Sequence, residues 1–475
     1  MKKRKTILLS LSIFILLGAS ASFAEAGSYL TTKEVALKEQ EGFESASPKA
    51  AHDFEKDKEK AREWAEKRYS GWQKDLDKNE REEILRYGNN IGVANEINMH
   101  LEDTRGEVLE DSKLKKSIEE IDKALKKEKT DQHMYVYHRV NETFFGLQEG
   151  SLREGAKINK ESFEKFKKEF VENQSIIKEN GYINASLHGD SPNLSKEPSI
   201  YIKLKVPQGV HGGYIGNFLA KEGANDFLIE RGQGIQISKA SIINQKGREY
   251  IKLEAELITD DKLKNELEKY NKELNDELGL NLVHLDLTER FFTSNYKTAQ
   301  EAVKAIQGIN TDFLEEAIDI LNIDYEKEYL LDLVDDKITK YESFKFLAGK
   351  DSNQLDPDGN PIKYDDINGL HLSLRDHATI VNFKKSPEPI LDTLHELGHA
   401  LDDLIFFTIS EKQAFTQIHQ EEQPSFLPDP YFKSRKEYFA ECFAYYYSPD
   451  SNLKNKLKVE AEQSYNFIKN LKIEY

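Results

Sequence analysis

The stretch PEPILDTLHELGHALDDLIFF, residues 387–407, carries a helical apolar pattern and two histidines four residues apart. Its apolar side is made by Leu391, Leu394, Leu397, Leu401 and Ile405. This spacing predicts one amphipathic helix, from which His395 and His399 project on the same face about one turn apart. Two imidazoles so placed suit a tetrahedral zinc ion, and Glu396 lies where it can take a proton from a zinc-bound water.

The alternative for this stretch is a helix with two ordinary surface histidines. Gly398 argues against that alternative, because glycine is costly inside a helix unless another backbone approaches closely there. A catalytic zinc also needs a third protein ligand. Glu437 and Glu441 lie one turn apart in the aromatic stretch EYFAECFAYYY, residues 437–447, where an unpaired carboxylate would be expensive. Either these are two ordinary helix carboxylates, or one binds the metal and the other hydrogen-bonds a ligating histidine.

These two stretches closely resemble the catalytic domain of the anthrax lethal factor family and the related proline-directed secreted peptidases of Gram-positive bacteria. The resemblance covers about the last 200 residues and implies a mostly helical, zincin-type metalloprotease domain over residues 281–475. It implies His395, His399 and Glu437 as zinc ligands and Glu396 as the general base that activates the attacking water.

The same resemblance implies further residues around the metal. Tyr431 matches the tyrosine that hydrogen-bonds near the metal in this family and helps to stabilise the oxyanion. Asp402 or Asp403, three or four residues past His399, would orient that histidine, as Glu441 would orient a ligand from the other helix. We also expect the strand at residues 378–383 to pair with the substrate backbone as an added strand.

The first half of the chain carries a different set of motifs. They are AREW (residues 61–64), YHRV (137–140), GYINASL (181–187) and FLIERG (227–232). Together they resemble the bacterial binary-toxin ADP-ribosyltransferases. The resemblance implies a mixed α/β domain over residues 48–258, with a helical lead-in before short strands rich in Ile, Val and Tyr.

The transferase chemistry is degenerate in this half. Arg139 matches the arginine that holds the NAD diphosphate, which a guanidinium suits, and a structural salt bridge is its alternative role. Of the family's Ser-Thr-Ser only Ser186 remains. The family's two glutamates fall on residues 224–226, where the first carboxylate is missing and Asp226 is one methylene shorter than the second; Glu222 is displaced. NAD is therefore expected as a cofactor only if this domain is active.

Composition excludes some partners and bonds. The formal net charge of −18 repels phosphate backbones, so we expect no nucleic acid partner. Cys442 is the single cysteine, so no internal disulfide can form, and its aromatic surroundings predict a buried small hydrophobe. After the N-terminal segment no stretch is long and apolar enough for stable membrane insertion.

The N-terminus has the pattern of a secretory signal peptide over residues 1–26, with a basic start, an apolar stretch at residues 7–17 and a small-residue cleavage site. We therefore expect a secreted, extracellular protein; an uncleaved membrane anchor is the alternative. Residues 27–47 read as a flexible lead-in, and residues 259–280 as a charged helical junction between the two domains.

Residues 351–366 are polar and predict a plain loop, with a calcium loop as the alternative. Residues 370–374 and 378–383 predict the two strands of a hairpin.

The resulting expectation is an α+β, multidomain protein. The leading hypothesis is a secreted zinc endopeptidase of the toxin or effector type, acting on a protein or peptide substrate and using a separate component for translocation. The second hypothesis is a bifunctional toxin that also transfers ADP-ribose from NAD. The third is a binding protein with a structural zinc, which three protein ligands do not favour.

Overall fold

The computed structural model describes residues 51–189, 199–220, 224–245, 247–355, 359–373 and 377–473. One compact unit, Ala50–Tyr475, accounts for this part of the chain. The predicted signal peptide and lead-in, and Glu222, lie outside the described residues.

Four helices begin the described chain: α1 (Lys58–Asp75), α2 (Lys78–Asn89), α3 (Ile91–Asp103) and α4 (Lys115–Lys126). Apolar residues at helical spacing turn one side of α1 inward, and its Trp72 donates from Nε1 to the carbonyl oxygen of Ala124 at 2.8 Å. The helical lead-in predicted for this region is confirmed.

A large sheet follows the helices. Its chain order is β1 (Met134–Val140), β2 (Arg153–Glu154), β3 (Lys157–Ile158), α5 (Lys160–Lys167), β4 (Ile176–Glu179), β5 (Ile183–Ser186), β6 (Ile200–Val206), β7 (Gly212–Tyr214), β8 (Asp226–Ile229), β9 (Gln233–Gln245) and β10 (Arg248–Ile258). Eight of these strands form one sheet in the order β4-β9-β10-β6-β1-β5-β8-β7, while β2 and β3 pair separately. Burial alternates along β6 as expected for a sheet strand with one face in the core.

Helix α6 (Asp260–Leu278) carries the chain away from this sheet, as the charged stretch predicted. It ends at Gly279, whose φ of +74° gives the left-handed turn that glycine adopts most readily. That the two domains meet in this helix stays a prediction.

The C-terminal part surrounds a smaller sheet with helices. Its elements are β11 (Val283–Asp286), α7 (Phe292–Ile306), α8 (Thr311–Tyr325), β12 (Leu331–Val334), β13 (Asp351–Leu355), β14 (Pro361–Lys363), β15 (Gly369–Leu372), β16 (Ala378–Asn382), α9 (Pro389–Leu404), α10 (Gln413–Phe426), α11 (Arg435–Tyr447), α12 (Ser451–Glu460) and α13 (Glu462–Lys469). The sheet order is β11-β12-β16-β15. The first three strands are parallel and β15 is antiparallel to β16, which confirms the predicted hairpin.

The prediction of a plain loop at residues 351–366 was wrong. β13 and β14 pair as antiparallel strands, and an ion pair joins Lys363 to Asp351 across them at 2.5 Å. Because this segment itself contains two paired strands, its described residues do not form the loop of a helix-loop-helix calcium site. Among the helices described, none combines the length and apolar character that a membrane span requires.

Candidate functional site

Helix α9 carries five of the predicted site residues: His395, Glu396, His399, Asp402 and Asp403. His395 and Glu396 are 8% and 9% exposed, and four of the five leucines of the same helix are buried in the core of the C-terminal part. Gly398 faces α11: a Cβ added there would lie 3.1 Å from Cα of Ala440 and 3.2 Å from Cβ of Phe443. The predicted close backbone approach at this glycine is confirmed, and it brings the two helices into direct contact.

Helix α11 places both of its candidate carboxylates against the histidines. Oε2 of Glu437 lies 3.2 Å from Nε2 of His395 and 3.1 Å from Nε2 of His399. Oε2 of Glu441 lies 2.9 Å from Nδ1 of His395. Of the two glutamates the sequence left open, Glu437 therefore faces both imidazoles, and Glu441 contacts the other ring nitrogen of His395.

The three facing atoms form a nearly equilateral triangle. The two Nε2 atoms of His395 and His399 are 3.2 Å apart, close to their distances from Oε2 of Glu437. A tetrahedral zinc ion with ligands at about 2.0–2.1 Å would separate neighbouring ligand atoms by about 3.3 Å. The triangle therefore fits one face of a zinc coordination tetrahedron.

The charge of this cluster also favours a cation. Burial disfavours a charged imidazole, yet the neighbouring carboxylates of Glu437 and Glu441 hold the pKa of His395 well above its ordinary value. Burial likewise opposes ionisation of Glu437, but hydrogen bonds from both histidines hold the pKa of its carboxyl well below its usual range. At His399, burial and the neighbouring His395 outweigh Glu437 and hold the pKa below its ordinary value, which favours the neutral imidazole that a metal ligand requires.

Glu396 lies beside this triangle, against the edge strand β15. A Cβ added at Gly369 would lie only 2.7 Å from Cγ and from Oε1 of Glu396, so the carboxylate occupies the space that a side chain would fill. Burial raises the pKa of Glu396 to about 8. Such a carboxyl takes up and releases a proton near neutral pH.

Tyr431 reaches the same cluster from a short 3-10 turn, Pro430–Lys433, just before α11. Its hydroxyl donates to Oε2 of Glu437 at 2.5 Å. Burial and the neighbouring carboxylate of Glu437 raise the pKa of Tyr431, so the hydroxyl keeps its proton. The tyrosine predicted to lie near the metal is therefore next to the facing triangle.

Asp402 and Asp403 do not have the predicted role of orienting His399. Asp402 accepts hydrogen bonds from the backbone N–H and the hydroxyl of Ser410, while Asp403 contacts His371 and His377. Side chains three and four residues past His399 lie on the same face of the helix as His399. Here they are instead hydrogen-bonded to groups of the following loop and of the β15–β16 hairpin. The sequence missed these partners because they depend on contacts between distant segments.

The expected substrate-pairing strand also needs correction. β16 lies between β12 and β15, so both of its edges are already hydrogen-bonded. β15 is the edge strand, and its Gly369 and His371 line the same cleft as Glu396 and His399. All five residues of β16 are buried, as expected for a strand in the interior of a sheet.

The three residues of the degenerate NAD site come together in the larger sheet. Arg139, Ser186 and Asp226 lie on the adjacent strands β1, β5 and β8, and Ser186 is directly paired with Asp226. All three line one cavity of about 1290 Å³. The guanidinium of Arg139 lies 4.2 Å from the ring centre of Tyr201 and donates weakly to Gly189.

This cavity also contains a residue that the sequence did not suggest. Arg290, from the segment between β11 and α7, lines it and pairs with Glu179 at 2.6 Å and Glu102 at 3.0 Å. Burial lowers the pKa of the neighbouring His138 to about 4, so that ring stays neutral. The C-terminal part therefore contributes a partly buried cation to a cavity of the N-terminal part.

Comparison with known proteins agrees with this division. Residues 61–260 match the family of ADP-ribosyltransferase exoenzymes, and residues 264–471 match the anthrax toxin lethal factor family, N- and C-terminal domain. Fold, site and these matches together divide the chain into two parts, each similar to a different family. The chain belongs to the lethal factor family in its C-terminal part and to the ADP-ribosyltransferase exoenzyme family in its N-terminal part.

Three individual relatives illustrate the similarity. The Pro-Pro endopeptidase of Clostridioides difficile is 32% identical over 156 residues, which are 32% of this chain and 68% of the relative. Lethal factor of Bacillus anthracis is 22% identical over 409 residues; the match covers 78% of this chain but only 47% of lethal factor. The ADP-ribosyltransferase toxin Plx2a of Paenibacillus larvae is 33% identical, with a TM-score of 0.40, over 44% of this chain and all of that chain.

Proposed function

We propose that this chain is a secreted, zinc-dependent endopeptidase of toxin type. The observation that carries the proposal is the triangle of His395, His399 and Glu437, whose edges of 3.1–3.2 Å suit three ligands of one zinc ion. Bound there, the ion would lower the pKa of a water and polarise a peptide carbonyl. Zinc is the only cofactor that this activity requires.

The residues around the triangle then divide the remaining work. Glu396 accepts the proton of the attacking water and delivers it to the leaving amine, a role that suits a buried carboxyl with a pKa of about 8. Tyr431 donates its hydroxyl hydrogen to the oxygen that becomes negative in the transition state. Glu441 holds the ring of His395 in the orientation that presents Nε2.

A protein or peptide strand is the proposed substrate. The free edge of β15 offers backbone groups for pairing beside Glu396, and the relative named Pro-Pro endopeptidase supports cleavage next to prolines. By analogy with the toxin relatives, a separate component would carry the protein into cells.

The test compares the full chain with its Glu396→Ala variant on a peptide library that includes Pro-Pro sequences. We expect the variant to keep the wild-type zinc content and lose cleavage by at least 10³-fold, because a general base is not a ligand. Glu301→Ala, an exposed glutamate of α7, is the matched control and should cleave normally. Cleavage by Glu396→Ala at the wild-type rate would reject the mechanism.

For the N-terminal part we propose a transferase-like scaffold that helps to position the substrate rather than a second enzyme. Residues 224–226 lack the first of the family's two glutamates, which supports the scaffold role. The retained Asp226 and Arg139 still line a large cavity. An NAD glycohydrolase assay on the full chain should give no turnover above background. Turnover that Arg139→Lys abolishes would establish the bifunctional alternative instead.

A further inference from the structure

A second convergence of metal-binding side chains lies beside the proposed catalytic triangle. Oδ2 of Asp403 is 2.6 Å from Nδ1 of His377 and 3.2 Å from Nε2 of His371. One ligand atom of each of the three residues lies within 4.8 Å of the other two. Neither the two sequence families nor the catalytic role proposed above gives this cluster a function.

The three residues come from three different positions in the fold. His371 is on the edge strand β15, His377 directly precedes β16, and Asp403 is in the last turn of α9. Their side chains are only 3%, 15% and 15% exposed. Such burial excludes most competing water and favours a bound ion over hydrated side chains.

The other ring nitrogen of His371 is also held. Its Nδ1 lies 3.0 Å from the hydroxyl oxygen of Thr379, which is buried in β16. When that hydroxyl accepts from Nδ1–H, the lone pair of His371 is on Nε2 and points to Asp403. Histidines that bind metals are commonly fixed through their second nitrogen in this way.

We propose that His371, His377 and Asp403 form a second zinc site. Two imidazole nitrogens and one carboxylate oxygen bind zinc in preference to calcium or magnesium, which favour oxygen ligands. An ion there would join the β15–β16 hairpin to the C-terminal end of α9. If the proposed peptidase function holds, the ion fixes the edge strand on which the substrate docks.

Zinc content distinguishes a metal site from the alternative, in which Asp403 only accepts hydrogen bonds from His371 and His377. The full chain, stripped of metal and dialysed against buffered zinc alone, should hold two equivalents. His377→Asn and Asp403→Asn should each hold one. Asparagine suits the φ of +45° at position 377, and at position 403 its amide oxygen still accepts from both rings. If the three residues only form hydrogen bonds and hold no metal, neither substitution should change the zinc content.

A second pair of variants separates the two sites. Glu437→Ala should lose the other equivalent, and the double variant with His377→Asn should bind none. Near-ultraviolet circular dichroism checks that each variant is folded, and the two asparagine variants provide independent readings of the same site. One equivalent in the wild type, or two equivalents in both asparagine variants, would overturn the proposal. Wild-type zinc content in Glu437→Ala would instead refute the catalytic site alone.

Discussion

Gly369→Ala tests whether the missing side chain at residue 369 leaves the room that the carboxylate of Glu396 needs for its catalytic position. An added Cβ would lie 2.7 Å from Cγ and Oε1 of Glu396, whereas ordinary contacts between such atoms begin at 3.4 Å. Either the carboxylate or the edge strand must therefore move by about 0.7 Å. The backbone conformation at Gly369 is ordinary for a strand, so alanine introduces this steric conflict without adding backbone strain.

Displacement of a reacting group by about 1 Å can cost about 10²-fold in rate. We therefore expect kcat of Gly369→Ala to fall by about 10- to 100-fold, which corresponds to about 1.4–2.7 kcal/mol of activation free energy. The zinc content should not change, because the three atoms nearest to the added methyl group all belong to Glu396, which is not a ligand.

Steady-state cleavage of a peptide identified from the library measures this effect. Gly71→Ala is the matched control, because a Cβ at that helical position meets nothing within 4 Å and alanine favours a helix. Its kcat should equal that of the wild type. A kcat for Gly369→Ala within twofold of the wild type would refute the positioning role, and so would a loss of zinc, since that would place the damage at the ligands.

Two further predictions follow from buried groups. Tyr431→Phe removes only the hydroxyl that faces Glu437, so kcat should fall about 10²-fold while the zinc content is kept. Tyr465→Phe on α13 is the control. Equal kcat values for the two variants would contradict the oxyanion role of Tyr431. Burial raises the pKa of Glu179 to about 8, far above its unfolded value of 4.5. The free energy of unfolding should therefore fall as pH rises from 4.5 to 8, by up to about 1.4 kcal/mol per pH unit. Chemical denaturation across this range should show a smaller slope for Glu179→Gln, and an unchanged slope would exclude Glu179 as its source.

The helical part of the candidate site was predictable because local spacing determines it. Residues four apart share one face of a helix whatever surrounds them, so His395 with His399, and Glu437 with Glu441, required only that each stretch be helical. Gly398 further indicated that another backbone lies close to the first helix. What spacing alone left open was which glutamate faces both imidazoles, and the structure places Glu437 there.

The partners of Asp402 and Asp403 were not predictable in the same way. Asp403 meets His371, which is 32 residues away in sequence and is brought there by the β15–β16 hairpin. Strand order in the smaller sheet is likewise a property of the whole domain, since β12 must enter between β11 and β16. Local patterns predict elements and faces, whereas these contacts depend on how the elements are assembled.

The segment around Arg290 favours a structural role for the N-terminal part. The N–H groups of Thr288 and Glu289 donate to the carboxylate of Asp335, just after β12 of the C-terminal sheet. The guanidinium of the next residue, Arg290, pairs with Glu102 and Glu179. Its carbonyl oxygen accepts from the backbone N–H of Lys178, next to Glu179 on β4.

One short turn is thus held at both ends, by one sheet through Asp335 and by the other through β4. Removing the N-terminal part would expose the guanidinium further and remove both of its glutamate partners, Glu102 and Glu179. The cavity that Arg290 enters is the one lined by Arg139 and Asp226. The proposed positioning role of the N-terminal part therefore rests on two observations: residues 224–226 lack the first glutamate of the transferases, and β4 holds the turn that carries Arg290.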